Sequence, residues 1–152
     1  MRIVIGIDPG INGGICIINN KNVMAKKMPE TPMELYQFLK KFSNFDIICV
    51  LETVGGMPKQ GGKSMFTFGK MYGHLEMALL ALKIKTYPVT PQKWQKDFQL
   101  GTTKSGGNLT TTQWKKILRS KAQQLFPSVK ITNSTSDAIL IAEYGVRNYL
   151  KD

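Results

Sequence analysis

The stretch Ile3-Val4-Ile5-Gly6-Ile7-Asp8-Pro9-Gly10 decides the fold of this 152-residue chain. Its first five residues form a short apolar run rich in β-branched side chains, which is typical of a buried strand, and Asp8-Pro9-Gly10 is a turn signal. A second apolar run over residues 14–18 follows at once and ends at Asn19-Asn20. The chain is therefore expected to begin with two neighbouring strands joined as a hairpin.

Beyond this hairpin, the spacing of apolar residues alternates between the periods of strands and helices. A third strand is predicted over residues 22–28, and Thr31 with Pro32 begins a helix as its N-cap and first residue. The apolar run 47–51 is typical of a central strand covered on both faces, and it ends at Glu52. The spacing further predicts a strand over residues 84–89 and helices over residues 64–82, 91–98, 111–126 and 136–150. Together these elements predict an α/β fold with a mixed five-stranded sheet and helices on both faces.

Composition narrows the class of protein and the class of partner. Hydrophobic residues make up 42% of the chain, which excludes a wholly disordered basic chain, and the length suits one domain spanning residues 1–152. The 21 Lys and Arg residues exceed the 10 Asp and Glu residues, leaving a formal net charge of +11. This excess favours a polyanionic partner, of which nucleic acid is the commonest, although a basic surface can also serve solubility alone.

The sequence has no feature typical of a membrane or secreted protein. No apolar run approaches the roughly 20 residues needed to cross a bilayer, and the first residues enter a strand pattern rather than a signal peptide. Cys16 and Cys49 each lie within an apolar run, so neither a disulfide framework nor a zinc site is expected. We therefore expect a cytoplasmic protein with no membrane partner.

Three of the ten acidic residues stand at the ends of apolar elements. Asp8 follows the first strand, Glu52 follows the fourth, and Asp137 opens the apolar helix at the end of the chain. If the two strands are adjacent and parallel, their carboxyl ends bring Asp8 and Glu52 together. Convergent carboxylates suit Mg²⁺, and two such ions about 4 Å apart promote phosphodiester hydrolysis. The alternative is that each acid is an ordinary strand-end residue, or a helix-start residue favoured by the helix dipole.

Several motifs resemble those of RuvC-type Holliday-junction resolvases, in particular the short bacteriophage forms. They are the opening stretch, Val50-Leu51-Glu52 with the glycine-rich segment after it, Val89-Thr90-Pro91-Gln92-Lys93-Trp94, and Ser136-Asp137-Ala138-Ile139-Leu140-Ile141-Ala142. The resemblance implies a ribonuclease H-like fold, a homodimer and paired nicks across four-way junctions in DNA recombination and repair. It also implies Mg²⁺ or Mn²⁺, with two ions per active site, and a bacteriophage source acting in the cytoplasm of a bacterial host.

The resemblance also assigns roles to individual acidic residues. It implies that Asp8 bridges the ions, while Glu52 and Asp137 each hold an ion from one side. The family usually has a fourth acidic or histidine ligand three or four residues before the last aspartate, where this chain has Asn133 and Ser134. Three explanations stay open: a three-carboxylate site, an amide ligand from Asn133, or an inactivated variant.

Basic and aromatic residues near these acids are candidate DNA contacts. Lys104 and Lys93 are the first choices, and the others are Lys59, Lys63, Lys96, Lys115 and Lys116. Each of these lysines could instead lie on an ordinary solvated surface. Phe66 follows the glycine-rich segment, where an aromatic ring could stack on an unpaired base at a branch point. Alternatively, Phe66 belongs to the first turn of a buried helix face.

The remaining interpretations concern assembly and rival functions. The helix over residues 64–82 contains Gly69 and Gly73 and is expected to form the seam of a homodimer, unless it is buried within one subunit. Gly61-Gly62-Lys63-Ser64 ends like a phosphate-binding loop, but Met57 stands where that motif requires glycine, so no nucleotide cofactor is expected. An actin-like or sugar-kinase-like ATPase needs two duplicated lobes, more than this length holds. The main rival is a branched-DNA binding protein that cuts weakly or not at all because the fourth ligand is missing.

Overall fold

The computed structural model describes residues 2–20, 22–54, 61–100 and 109–150. Its strands are β1 (Ile3–Asp8), β2 (Gly14–Asn19), β3 (Asn22–Lys27), β4 (Ile47–Glu52) and β5 (Lys85–Val89). Its helices are α1 (Pro32–Lys40), α2 (Gly62–Ala81), α3 (Pro91–Asp97), α4 (Thr111–Leu125) and α5 (Ser136–Tyr149). The predicted order of elements is therefore confirmed, with bounds within two residues of those expected.

The five strands form one mixed sheet in the order β3-β2-β1-β4-β5. Strand β2 runs antiparallel to both β1 and β3, whereas β4 runs parallel to β1 and β5 runs parallel to β4. Pro88 lies in β5, at the edge of the sheet, where a residue without a backbone N–H is tolerated. The α/β fold with a mixed five-stranded sheet is thus confirmed.

Side chains of the central strands alternate between two hydrophobic cores, one on each face of the sheet. Ile5, Ile7 and Leu51 belong to the core beneath α1 and α2. Val50 and Val89 belong to the opposite core, which contains buried side chains of α3, α4 and α5. Because successive side chains point to opposite faces, the position of each strand residue decides which helices it meets.

Helix α5 packs against β1 at very short range because Gly6 has no side chain. A Cβ atom at Gly6 would collide with the backbone nitrogen of Ala142 and the carbonyl oxygen of Ala138. Further along the helix, Gly145 lies against the side chains of Val4 and Val50. The start of α5 therefore lies over the carboxyl end of β1.

Local sequence signals account for where the helices begin. Thr31, Thr90 and Thr110 are the N-caps of α1, α3 and α4, and each accepts a hydrogen bond from a backbone N–H of the first turn. Cys16 and Cys49 are buried free thiols, as predicted, and burial raises the pKa of both. In the part of the chain that the structure describes, no helix combines the length and the hydropathy needed to span a bilayer.

Candidate active site

Asp8 and Glu52 lie side by side where β1 and β4 end. The two parallel strands pair Gly6 with Val50 and Ile7 with Leu51, so the next positions are Asp8 and Glu52. Gly6 and Val50 face α5, and the residues two positions further along point to the same side of the sheet. Both carboxylates therefore face the helix that carries Asp137.

Asp137 completes this group as the second residue of α5. It is held over the end of β1 by the close packing of α5 on Gly6. The group consists of Asp8, Glu52 and Asp137 and is called the acidic cluster below. The register of β1 and β4 places Asp8 and Glu52 side by side, although they are 44 positions apart in the chain. The packing of α5 on Gly6 adds Asp137, 129 positions after Asp8.

The carboxyl groups of the acidic cluster have raised pKa values. Burial raises the pKa of Asp8 to about 8, and the neighbouring charges of Asp137 and Glu52 add to this effect. Burial likewise raises the pKa of Glu52 to about 7 and that of Asp137 to about 6. Lys115 opposes the shift at Asp8 and Asp137, and its ammonium group is therefore close enough to act on both. The three carboxylates and one lysine share a single electrostatic environment.

The acidic cluster opens onto a cleft of about 590 Å³. Asp8 and Asp137 line this cleft directly, whereas Glu52 is only 8% exposed and is not among its lining residues. The other walls come from the turn after β1, the start of α2, α4 and the segment before α5. They are formed by Pro9, Gly10, Ile11, Asn12, Gly13, Lys63, Ser64, Thr67, Phe68, Met71, Lys115, Asn133 and Ser136.

The turn after β1 forms one wall of this cleft and depends on Gly10. Gly10 has a φ of 108°, which is strained for any residue with a side chain, and a Cβ there would contact the ring of Phe68. The glycine lets the backbone turn sharply beside Asp8 and approach α2 closely. The turn that Asp8-Pro9-Gly10 predicts is thus present, and it requires a glycine at position 10.

Glu52 makes a hydrogen bond that the sequence pattern did not indicate. The indole Nε1–H of Trp94, at the middle of α3, donates to Glu52 Oε2 over 2.6 Å. Trp94 is fully buried, and its one polar atom contacts the acidic cluster. This hydrogen bond favours the ionised carboxylate and partly offsets the rise in the pKa of Glu52.

The donor chemistry of the acidic cluster fits a hard divalent cation. Carboxylate oxygens are the ligands that Mg²⁺ and Mn²⁺ prefer, and a cation would compensate three acidic groups that burial makes hard to ionise. Within residues 2–20, 22–54, 61–100 and 109–150, no three His, Cys, Asp or Glu side chains are placed so that they could hold a metal ion together. Binding an ion at the acidic cluster would therefore require its side chains to change conformation.

Asn133, named above as a possible amide ligand, interacts with a cationic side chain. Asn133 lines the cleft, but its Oδ1 accepts a hydrogen bond from Arg119 over 3.2 Å. Arg119 is anchored by a second hydrogen bond, to the carbonyl oxygen of Ile131 over 3.0 Å. The amide oxygen of Asn133 thus faces the guanidinium group of Arg119.

Known proteins resemble this chain in structure but not detectably in sequence. No protein-family model matches the chain, and no curated protein matches it by sequence. A structure of Thermus thermophilus RuvC in complex with a Holliday junction substrate superposes with a TM-score of 0.62 at 14% identity, covering 97% of this chain and 96% of that chain. The chain has a RuvC-like fold. A second Thermus thermophilus RuvC structure gives a TM-score of 0.59 at 15% identity and covers 95% of both chains.

The RuvC-like fold brings only some of the candidate DNA contacts to the cleft. Lys63 and Lys115 line it, from the start of α2 and from α4. Lys93 and Lys96 on α3 and Lys116 on α4 are exposed and are not among its lining residues. Lys59 and Lys104 lie outside the residues that the structure describes.

Phe66 is an exposed residue within this RuvC-like fold. Its side chain is 74% exposed near the start of α2, so the alternative of a buried first helical turn is wrong. It borders a second groove, of about 410 Å³, between α2 and the segment that leads into α1. The two grooves share Ile11, Thr67 and Met71 and are therefore neighbours.

Proposed function

We propose that this protein is a metal-dependent endonuclease that nicks four-way DNA junctions, and other branched DNA, by phosphodiester hydrolysis. The observation that carries this proposal is the acidic cluster, gathered beside Lys115 at the edge of a cleft of about 590 Å³. The likeness of the fold to that of RuvC supports it, since one of the similar structures holds a Holliday junction substrate.

We propose that Asp8, Glu52 and Asp137 hold Mg²⁺ or Mn²⁺, with two ions per site. Such ions, when bound, activate water and neutralise charge on the phosphate during hydrolysis. Lys115 adds a fixed positive charge at the same place, because it already acts on the carboxyl groups of Asp8 and Asp137. Its ammonium group would attract a DNA phosphate to the cleft and help to stabilise charge that grows on it.

The start of α2 provides a second phosphate-binding feature. Its N-cap is Gly61, which has no side chain to accept a hydrogen bond from the first N–H groups of the helix, and no acidic residue lies in the first turn. The N–H groups at a helix start attract anions, and Lys63 and Ser64 line the cleft at this point. We propose that one DNA strand passes along this wall. Lys93, Lys96 and Lys116, which do not line the cleft, are proposed as further phosphate contacts, as are Lys59 and Lys104.

Phe66 provides a contact that is not electrostatic. Its ring is exposed one turn beyond Lys63 on α2, and base stacking on an aromatic ring is worth about 1–3 kcal/mol. Unpaired bases occur at branch points rather than in a regular duplex. We propose that Phe66 stacks on such a base and contributes to the preference for branched DNA.

We also propose that the active form is a homodimer joined through α2. Met77 and Leu80 are 61% and 72% exposed, and helical spacing puts them on one face with Gly69 and Gly73. No described atom lies within 4 Å of a Cβ built on either glycine, so a second helix can approach closely. A twofold dimer with one site per subunit matches the approximate twofold symmetry of a four-way junction. The proposed setting is the cytoplasm of a bacterial host, in recombination and repair of DNA, with a bacteriophage as the source.

The decisive experiment is a cleavage assay on an end-labelled four-way junction. The wild-type protein should nick the junction in Mg²⁺ or Mn²⁺ and not in EDTA, and Asp8→Asn should lower the rate at least about 100-fold because it removes a charged ligand while retaining the side-chain shape. Linear duplex and a three-way branch of the same sequence serve as substrate controls. Equal nicking by wild type and Asp8→Asn would overturn the catalytic assignment.

A second candidate function is a branched-DNA binding protein with little or no cleavage. Arg119 supports it, since this residue holds Asn133 at the position where the family usually has a fourth ligand. The same assay separates the two candidates when a gel-shift measurement accompanies it. Tight and junction-selective binding without nicking in either metal would favour the binding protein.

A further inference from the structure

We propose that Trp94 is a positioning residue for Glu52, holding its carboxylate in the orientation that the acidic cluster needs to bind a divalent cation. The inference rests on the proposed function, because it assigns Trp94 a role at the same metal site. It starts from the buried hydrogen bond of 2.6 Å between Trp94 Nε1 and Glu52 Oε2, which joins residues 42 positions apart.

The backbone leaves Trp94 little freedom to move away from Glu52. Strand β5 pairs with β4 so that Val89 lies opposite Glu52, and the next residue, Thr90, already caps α3. Thr90 accepts a hydrogen bond from the backbone N–H of Lys93, which fixes the first turn of the helix. Helix α3 therefore starts beside the end of β4 and turns the indole back onto the carboxylate.

Packing fixes the indole ring as firmly as the backbone does. Trp94 has no exposed surface, and the ring of Phe98 meets it edge-on at 6.4 Å. Arg147 of α5 lies over the Phe98 ring, 4.6 Å from its centroid, and pairs with Glu143 on its own helix. The donor is thus supported from the same helix that supplies Asp137.

An indole N–H suits this role because of its chemistry. It is a donor only, it does not titrate, and its direction follows from the position of the ring. A hydrogen bond to one carboxylate oxygen limits rotation of the whole carboxylate and so sets the direction of the other oxygen. Supporting hydrogen bonds of this kind to metal ligands change metal affinity by about 10-fold to 100-fold when they are removed.

The test measures Mn²⁺ affinity by calorimetry in the absence of DNA. Trp94→Phe removes the N–H and keeps an aromatic ring, and Trp114→Phe is the matched control. Trp114 is buried in the same core, 6% exposed, on α4. We expect Trp94→Phe to weaken Mn²⁺ binding at least about 10-fold and Trp114→Phe to change it less than about 2-fold.

A second variant removes the N–H without changing the volume of the core. In the Trp114→Phe protein, biosynthetic replacement of the remaining tryptophan by benzothienylalanine puts sulfur in place of the N–H group. This protein should lose the same affinity as Trp94→Phe while its melting temperature stays close to that of its parent. It therefore remains informative if Trp94→Phe folds poorly.

A double-mutant cycle separates positioning from a general effect on packing. If Trp94 acts through Glu52, then Trp94→Phe should have no further effect on Mn²⁺ affinity in a Glu52→Ala background, which has no side-chain acceptor for the indole N–H. An undiminished 10-fold effect in that background, or unchanged affinity in Trp94→Phe and in the benzothienylalanine protein, would overturn the inference and leave the proposed function intact. Absence of Mn²⁺ binding by the wild-type protein would overturn both.

Discussion

At the scale of single residues, Asp8, a proposed metal ligand, lies in an environment that is unfavourable for a charged carboxylate. Its pKa is raised to about 8 from an ordinary value of 3.8, first by burial and then by Asp137 and Glu52. A raised carboxyl pKa means that the folded protein binds this proton more tightly than the unfolded chain does. The free energy of unfolding should therefore fall as pH rises from about 4 towards 8.

This environment predicts a stability gain when the charge is removed. In EDTA at pH 8, Asp8→Asn should melt several degrees above wild type, since about 1 kcal/mol corresponds to roughly 2–4 °C in a chain of this size. The difference should shrink towards pH 4, where Asp8 is protonated in the folded protein and about half protonated in the unfolded chain, because its ordinary pKa is 3.8. Differential scanning calorimetry across this pH range measures it.

Addition of metal provides the control for the Asp8 prediction. Mn²⁺ should raise the melting temperature of the wild type and raise that of Asp8→Asn much less, because a ligand stabilises only the state that binds it. A difference in melting temperature between the two proteins that stays constant from pH 4 to pH 8 would contradict the electrostatic explanation.

At the scale of elements, the contact between β1 and α5 sets the geometry of the acidic cluster. Gly6 allows the backbone of α5 to lie directly on the strand, which brings the start of the helix to Asp8. A methyl group at this position meets the backbone at Ala138 and Ala142 rather than a flexible side chain, so the helix itself must shift.

Gly6→Ala should therefore affect both stability and metal binding. We expect a loss of about 1–3 kcal/mol in the free energy of unfolding, the usual cost of overpacking, measured by urea denaturation. Because Asp137 moves with α5, Mn²⁺ affinity should also fall. Gly62→Ala is the matched control, since no described atom lies within 4 Å of its Cβ position, and it should leave stability nearly unchanged. Equal stability of the two variants would show that α5 does not need this close approach.

At the scale of the whole molecule, the exposed face of α2 predicts self-association. Large apolar side chains on one helical face are unfavourable in water, and a second copy of the chain would bury them. The double variant Met77→Lys with Leu80→Lys introduces like charges at two exposed apolar positions of this face, 61% and 72% exposed. It should sediment as a monomer at concentrations at which the wild type is a dimer, with the dissociation constant raised at least about 100-fold.

A matched surface change tests whether the effect belongs to α2. Met33 on α1 is 63% exposed and lies on a different helix, so Met33→Lys adds a lysine without touching the proposed seam. It should leave the sedimentation coefficient unchanged. A monomeric wild type, or a Met33→Lys protein that dissociates as readily as the double variant, would refute the assignment of the interface.

Much of the fold followed from local signals in the sequence. The apolar run over residues 3–7 and the predicted N-cap Thr31 depend on residues close together in the chain, and the structure has a strand and a helix there. Part of the site followed as well. Asp8 and Glu52 each directly follow an apolar run in the sequence, and these two runs form adjacent parallel strands.

The sequence by itself determined which elements form, where they begin, and which acidic residues stand at strand ends, because the periods of strands and helices and the caps are local properties. Only the tertiary structure decided that Trp94 donates to Glu52, that Arg119 holds Asn133, and that Phe66 stays exposed. These contacts depend on how helices dock against the sheet. Docking depends on close approaches such as that of α5 to Gly6, which bring together residues more than 100 positions apart. Such contacts produce no periodic pattern of apolar residues in the sequence.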